Sequence, residues 1–500
     1  MKIKPLLFSM LVMGVMSGQA ATYYVSPEGS GAKDGSSVDN AFGVAEFSAR
    51  AADNSNGDIY YFAGGTYIIP TTVVFKVGTG ATLYGNAEGD RTVFSGDLND
   101  NAYADADDAG RLVRFQANTV HGNSANAILI SNIDFTCVYT NTDDSSNNAG
   151  ALAIDNSGDV LVENCNFYDN WAQGQQGGAA AFLYRSTVKF EGCTFSGNKA
   201  NYRGGAIRIN SNANTKGLIT FENCVIKNNL TYHDLGGAIF AANFNSINIV
   251  NSTVYGNCAT QGRGAAIYFN GKNGDYPRLL RVVNSTIAGN TVGEDVEADG
   301  QIGSTQSANI YVANSIIPSS GNCGSIFLNG AEASEDFLVE SGGFNYVGNV
   351  ESAVEVEIVW KETDHVGEGC IYSDIFGENI INSDGVVIPV KFYAGATGAE
   401  VTAATADWDL SEGLALTADQ LGNPRSGEVC MGALALTSEQ IKEGEGDNSG
   451  VEDTVAASDE TVTVYNLMGV AVKRDVKWES VVGNLPTGVY IVNGRKVLIR

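Results

Sequence analysis

The feature that most constrains this chain is a unit of about 30 residues that recurs between residues 132 and 315. Each copy opens on Asn132, Asn164, Asn223, Asn251, Asn284 or Asn314, with Gly192 in the same slot, at separations of 32, 28, 31, 28, 33 and 30 residues. The next slot holds Ile133, Cys165, Cys193, Cys224, Ser252, Ser285 and Ser315. A second Asn follows at Asn170, Asn198, Asn229, Asn257 and Asn290, then a small pair at Gly177-Gly178, Gly204-Gly205, Gly236-Gly237 and Gly264-Ala265. A fixed period of this length signals a repeat architecture. The units contain no pair of amphipathic helices, which excludes the helical solenoids. Each instead offers two or three strands of three to six residues with turns between them. A chain coiled so that each strand pairs with its counterpart one turn later is a parallel β-helix, with coils ~4.8 Å apart. Equivalent residues then stack. Stacked Asn side chains can satisfy one another and tolerate left-handed turns. The Gly pair permits a sharp bend, and the Ala-Ile that follows fills a narrow core.

Stacking also gives the cysteines a meaning. Cys165, Cys193 and Cys224 fall on adjacent coils with similar inward directions, and three in a column cannot all pair. Buried thiols, which pack as small apolar groups, and one disulfide among the three both remain open, since parallel Cβ vectors are poor for closure. No His or second Cys recurs at metal-ligand spacing.

Outside the repeats, Lys2 and Lys4, an apolar run and "GQA" read as a signal peptide over residues 1–20. No later segment has the length of a membrane span. "AFGVAEFSARAAD" (41–53) has helical spacing with Asn40 as an N-cap. The β-helix is expected over 21–437, with "DQLGNPRSGEVCMGALAL" (419–436) as a closing coil. Residues 438–458 are an acidic linker, and 459–500 alternate strongly enough to form a small β-sandwich-like module. The chain carries 57 acidic and 29 basic residues, a formal net charge of −28. That balance excludes nucleic acid as a partner and disfavours anionic membranes. It argues only weakly against an anionic substrate, because a local basic patch can override net charge.

The opening "YYVSP.GSG..DG" with "GD.IYYFAGGTY" resembles the first coils of right-handed parallel β-helix proteins of the pectate-lyase-like class. The "F..N" and "GGAI" units are similar to the repeats of chlamydial polymorphic outer membrane proteins. "VYNLMGV" and "LPTGVYIV" resemble the sorting domain of the type IX (Por) secretion system of Bacteroidetes. These resemblances imply an all-β, right-handed parallel β-helix (solenoid), exported to the extracellular space or outer-membrane surface. They imply that the C-terminal module engages the export machinery.

That class holds polysaccharide lyases and glycoside hydrolases as well as adhesins, so the site must decide. "NTDD" (141–144) matches one of four motifs of polygalacturonase-like hydrolases, but no Gly-His-Gly exists and Arg208-Ile209 is followed by Asn210. No complete catalytic set can be assembled. Tyr202, Arg203, Tyr232, His233, Asp234 and Arg263 fall in the turn before the small pair, and Trp171 follows the second Asn. They form either a saccharide-binding strip, with stacking and charged hydrogen bonds, or solvated turns; Trp171 either joins it or packs under a loop. Asp97, Asn99, Asn101, Asp105 and Asp108 match positions 1, 3, 5, 9 and 12 of a Ca²⁺ loop, with Ala102 where Gly is usual. A structural Ca²⁺ site and a solvated acidic loop both fit; no cofactor is otherwise required. The expected function is a non-catalytic, adhesin-like or glycan-binding surface protein, whose partner is an extracellular polysaccharide or cell-surface glycan. The alternatives are a polysaccharide lyase or glycoside hydrolase, and a purely structural surface protein.

Overall fold

The computed structural model describes residues 20–441, except 56, 117–126, 142–149, 175–176, 212–216, 243–244, 271–278, 297–298, 306–307, 330–336, 353–354, 378–385, 409 and 411–413; it also describes four strands within 461–499. Residues 1–19 of the expected signal peptide, His121, most of "NTDD" and most of the expected linker therefore lie outside the described residues.

One coil shows how the unit folds. Val160–Glu163 enters sheet 1, Asn166–Tyr168 sheet 2, Trp171–Ala172 sheet 3 and Ala181–Tyr184 sheet 4, and Val188–Glu191 returns to sheet 1. Among the described residues the four sheets hold 12, 11, 6 and 10 strands. Every pairing in them is parallel, and apart from a shift at Val312/Ala313 registers run straight, as in Phe135, Phe167, Phe195 and Ile226. Alternation puts one residue in two into the core. There Phe135, Phe167 and Phe195 stack with centroids 4.7 and 4.9 Å apart and planes within 5°.

The two Asn columns divide two tasks that the sequence suggests for both. The first takes the left-handed turn, with φ from 45 to 59° at Asn132, Asn164, Asn223, Asn251, Asn284 and Asn314; Gly192 adopts φ 61° in that slot. Asn pays less than other side chains for this conformation. The second column turns inward and stacks its amides. Asn170 Nδ2 donates to Asn198 Oδ1, Asn198 to Asn229, Asn229 to Asn257 and Asn257 to Asn290, each at 2.9 Å, and Asn290 to Gln301 Oε1. All five are at most 1% exposed. Between the columns, Ser252 Oγ accepts from Cys224 N at 3.0 Å and Ser285 Oγ from Ser252 N at 3.1 Å. Cys165, Cys193 and Cys224 fill the same slot as buried thiols, and all eight cysteines are free.

Two local expectations change. The helix is Val44–Ala52 and starts from Gly43, whose N–H donates to Glu46 Oε2; Asn40 instead accepts from Ala32 N. The segment 419–436 adds no coil, since the last rungs are Val350–Ser352, Glu357–Val359 and His365–Val366. The chain then doubles back along the outside of the stack. Ala396 N donates to Asn314 Oδ1, Ala433 N to Thr286 Oγ1 and Gln420 Nε2 to Cys224 O. Val401 and Trp408 pack on Val250, Val283 and Ala313. Asp419 holds this strap in shape by accepting from the backbone of Leu421, Asn423 and Ala435. The motif belongs to a strap because its polar side chains reach across coils instead of alternating into the core.

The C-terminal module is an antiparallel four-stranded sheet formed by Thr461–Asn466, Ala471–Lys477, Gly488–Val492 and Arg495–Ile499.

Candidate functional site

The turns bordering the outer face of sheet 4 carry six of the seven candidate ligand-binding residues. The sheet's inward positions, such as Leu183, Ile209 and Phe269, belong to the core. Register puts Arg114, Ala153, Phe182, Arg208, Phe240 and Tyr268 on successive coils of the opposite face. Gly303, Phe327 and Glu351 continue the column. Outward residues of a solenoid are ordinarily solvated, yet Phe182, Arg208, Phe240 and Tyr268 are only 1 to 7% exposed. The turns from sheet 3 into sheet 4 carry groups over them. The Arg203 guanidinium lies 5.9 Å from the Phe240 ring centroid, and that of Arg263 lies 5.5 Å from Phe327. Arg208 itself lies 5.5 Å from Phe182, in the range of a cation–π contact.

The predicted strip is largely one surface. Tyr202 and His233 have ring centroids 5.7 Å apart, His233 and Tyr232 6.3 Å, and Arg203 Nε donates to Asp234 Oδ2 at 3.3 Å across one coil. Arg263 stands in the same turn one coil further on, following Asp234 by the pairing of Gly236 N with Arg263 O. His233 is exposed and the others are half-buried. Trp171 stands apart: it lies on sheet 3, edge-on to Tyr139 at 5.3 Å, in a two-residue strand beside Lys199.

Five neighbours, Arg111, Arg114, Asp155, Arg185 and Asp299, were not singled out from sequence. Arg111 and Arg114 approach Asp155, and Arg114 Nη2 donates to Asp155 Oδ2 at 2.6 Å. Arg185 lays its guanidinium 4.8 Å from the Tyr184 ring. Asp299, 1% exposed, accepts from Gly264 N and Gly300 N and so pins the turn that presents Arg263. Spacing could not reveal them because Arg111, Asp155 and Asp299 have no counterpart in the other copies.

Electrostatics on this face are unusual for so acidic a chain. Burial, reinforced by Arg114, holds Arg111 down at about 10 despite Asp155. Burial, reinforced by Arg203, does the same to Arg208 despite Asp234. Burial pushes Asp299 up to about 6, against two amide donors and Arg263. Six of the chain's 14 arginines, Arg111, Arg114, Arg185, Arg203, Arg208 and Arg263, thus collect on and around one face. Two of the carboxylates there are engaged in ion pairs: Asp155 with Arg114 and Asp234 with Arg203.

The acidic loop behaves as a compact turn. Asp97 accepts from the backbone of Asn101 and Ala102, Asp108 from Leu98 and Asp105, and Asp105 from the amides of Asn99 and Asn101. Asp100 and Ala102 adopt φ 58 and 62°. Among the described residues no three carboxylates are placed to hold a metal ion together, so Asp97, Asn99, Asn101, Asp105 and Asp108 do not form a ready cation site; Asn99 and Asn101 aim N–H groups at Asp105, and holding Ca²⁺ requires both amides to turn their oxygens inward.

A family model described as "Right handed beta helix region" matches residues 102–292. With the four parallel sheets, that decides the architecture. The chain is a right-handed parallel β-helix. No curated protein sequence matches it. Among solved structures, a rhamnogalacturonan lyase is similar at 13% identity, covering 76% of this chain and 98% of its own, with a TM-score of 0.43. Pectate lyase Pel9A follows at 15%, covering 84% and 98%, with a TM-score of 0.34. PfbA, a surface adhesin of Streptococcus pneumoniae, shows 13% identity over 69% and 94%, with a TM-score of 0.25. None of their activities transfers to this β-helix on such likeness. Among the described residues no helix is long and apolar enough to cross a membrane.

Proposed function

We propose that this β-helix is an exported or surface-displayed protein that binds an extended, anionic glycan along the outer face of sheet 4. The observation that carries this reading is the concentration of six arginines on one face of a chain whose net charge is −28. Guanidinium forks match carboxylate and sulfate oxygens. Arg111 and Arg208 are buried, so an anion bound nearby is attracted in a medium of reduced dielectric. Tyr184, Tyr202 and Tyr232 add rings against which sugars can pack. The straight coil register spreads these groups along the axis, as an extended polymer requires. Export rests on the N-terminal signal, and the C-terminal module serves as its sorting element.

Titration calorimetry of the mature protein against polygalacturonate and a neutral glycan of equal length tests the reading. Binding should be confined to the polyanion, weaken with salt, and fall at least about tenfold in Arg203→Ala/Arg263→Ala. Equal binding of both glycans, or no effect of the substitutions, would sink it.

One observation favours a second reading, a polysaccharide lyase. Arg208, on the outer column of sheet 4 and held below the ordinary arginine value by burial and then by Arg203, has the character required of a base that removes a proton next to a neutralised carboxylate. Release of unsaturated uronides from a bound polyanion, abolished in Arg208→Lys, would establish it.

A further inference from the structure

The two ends of the stack are finished differently. At the N-terminal end the helix Val44–Ala52 lays Phe47 over the first coils, 5.3 Å from Tyr60 and 5.0 Å from Phe62. At the C-terminal end no described helix plays this part, and Val356 and Trp360 pack, half-buried, against the core. Register continues Val339 to Ile358 and Val347 to Val366, so both residues of the last coil point toward the core axis. Yet Ile358 and Val366 are 40 and 42% exposed, where Val339 and Val347 are fully buried. With Val350 and Trp360 they line an open hollow edged by Glu351 and Glu368. The strands there are terminal members of their sheets. A solenoid end of this kind exposes both core and strand edge, and such ends are ordinarily capped.

Three occupants present themselves. A second copy docking head to tail meets the helix that already closes the other end. A second copy docking tail to tail sets Glu351, Glu357 and Glu368 against the same carboxylates. Residues 461–500 are of opposite character: six basic residues, Lys473, Arg474, Lys477, Arg495, Lys496 and Arg500, against Asp475 and Glu479, a net +4. They are also within reach. Near the end of the strap Leu434 packs on Val225, and register counts five coils from Val225 to His365. At ~4.8 Å per coil that is ~24 Å. The 19 residues from 442 to 460 have a contour length of up to ~63 Å, more than that distance.

We propose that the C-terminal module docks on the open end of its own β-helix, its basic strands facing the glutamate rim, and caps the exposed core. The proposal is independent of the glycan reading. It is tested on the full mature chain, mixing isotopically light and heavy protein. A zero-length carbodiimide should join Glu351, Glu357 or Glu368 to Lys473, Lys477 or Lys496 within one chain. Amides of residues 357–366 should exchange slowly, at a rate independent of protein concentration. Lys473→Glu/Arg474→Glu/Lys477→Glu should abolish the cross-links and speed that exchange at least about tenfold; Ile358→Glu, on the opposite side of the contact, should do the same. Fast exchange without cross-links in the unmodified protein overturns the proposal. So do cross-links between light and heavy chains with concentration-dependent protection, which assign the end to a second copy. Protection indifferent to all four substitutions also overturns it.

Discussion

Replacing Asn229 by Ala should show how much the inward amide ladder contributes. Asn229 is 1% exposed, and its Oδ1 accepts from Asn198 N at 3.0 Å and Asn198 Nδ2 at 2.9 Å. Its Nδ2 donates to Phe195 O and Asn257 Oδ1. Truncation leaves two buried donors of the preceding coil without acceptors, and removes one donor each from Phe195 O and Asn257 Oδ1. An orphaned buried group costs roughly 1–3 kcal/mol, so the two donors alone amount to about 2–6 kcal/mol. Native-state hydrogen exchange is the suitable assay, because a solenoid opens locally and a single global unfolding value hides where the loss occurs. Amides of 194–200 and 225–231 should exchange about 30-fold faster or more, at 1.4 kcal/mol per decade. Those of 58–68, several coils away, should be unchanged. Exchange altered less than about twofold around Asn198, or accelerated equally everywhere, would refute the reasoning that the ladder is held by local amide satisfaction.

Three further outcomes are expected. Gly264→Ala puts a Cβ 2.4 Å from Ile267 O at a residue with φ 72°; it should cost at least about 2 kcal/mol and lower the melting temperature, and an unchanged melt would contradict the assigned turn. Asp299 binds its proton more tightly folded than unfolded, its value raised from 3.8 to about 6. Its contribution therefore falls as pH rises from about 4 to above 6, by about 3 kcal/mol on the linkage rule. Relative to the wild type, Asp299→Asn should gain stability over that window in urea titrations at stepped pH, and parallel profiles would refute this. Millimolar Ca²⁺, but not Mg²⁺, should raise the melting temperature if the loop from Asp97 to Asp108 turns its amides inward; at a hundredfold excess over Kd the gain is about 2.7 kcal/mol. It should vanish in Asp105→Ala, and a melt indifferent to Ca²⁺ removes the site.

What was legible in the sequence is what repeats. Asn164, Cys165, Asn170 and the Gly pair recur because each coil must turn and close in the same way, so their period exposes the coil before any coordinates do. The partition of work between the two Asn columns was not legible, since both hold the same residue and only φ and side-chain direction separate them. The neighbourhood of Tyr202, Arg203, His233, Asp234 and Arg263 could be read from shared position in the turn. Arg111, Asp155 and Asp299 could not, because they occur once each and meet the others only through sheet register. For Trp171 the sequence left two places open, the strip or the underside of a loop; its position after the second Asn does not show that its strand belongs to sheet 3. The strap's path was hidden as well. Its partners Cys224, Thr286 and Asn314 lie far away along the chain and leave no local period.

That strap changes how the molecule should come apart. A stack held only by contacts between adjacent coils can fray from either end, one coil at a time. Here Gln420 joins Cys224 and Thr253, Ala433 joins Thr286, and Ala396 joins Asn314, across sequence separations of 82 to 196 residues. Peeling the last coils therefore breaks bonds to a segment that also grips coils further up. The C-terminal half should yield to pulling or proteolysis as a single cooperative block, while the N-terminal coils, outside the strap's reach, remain free to open singly.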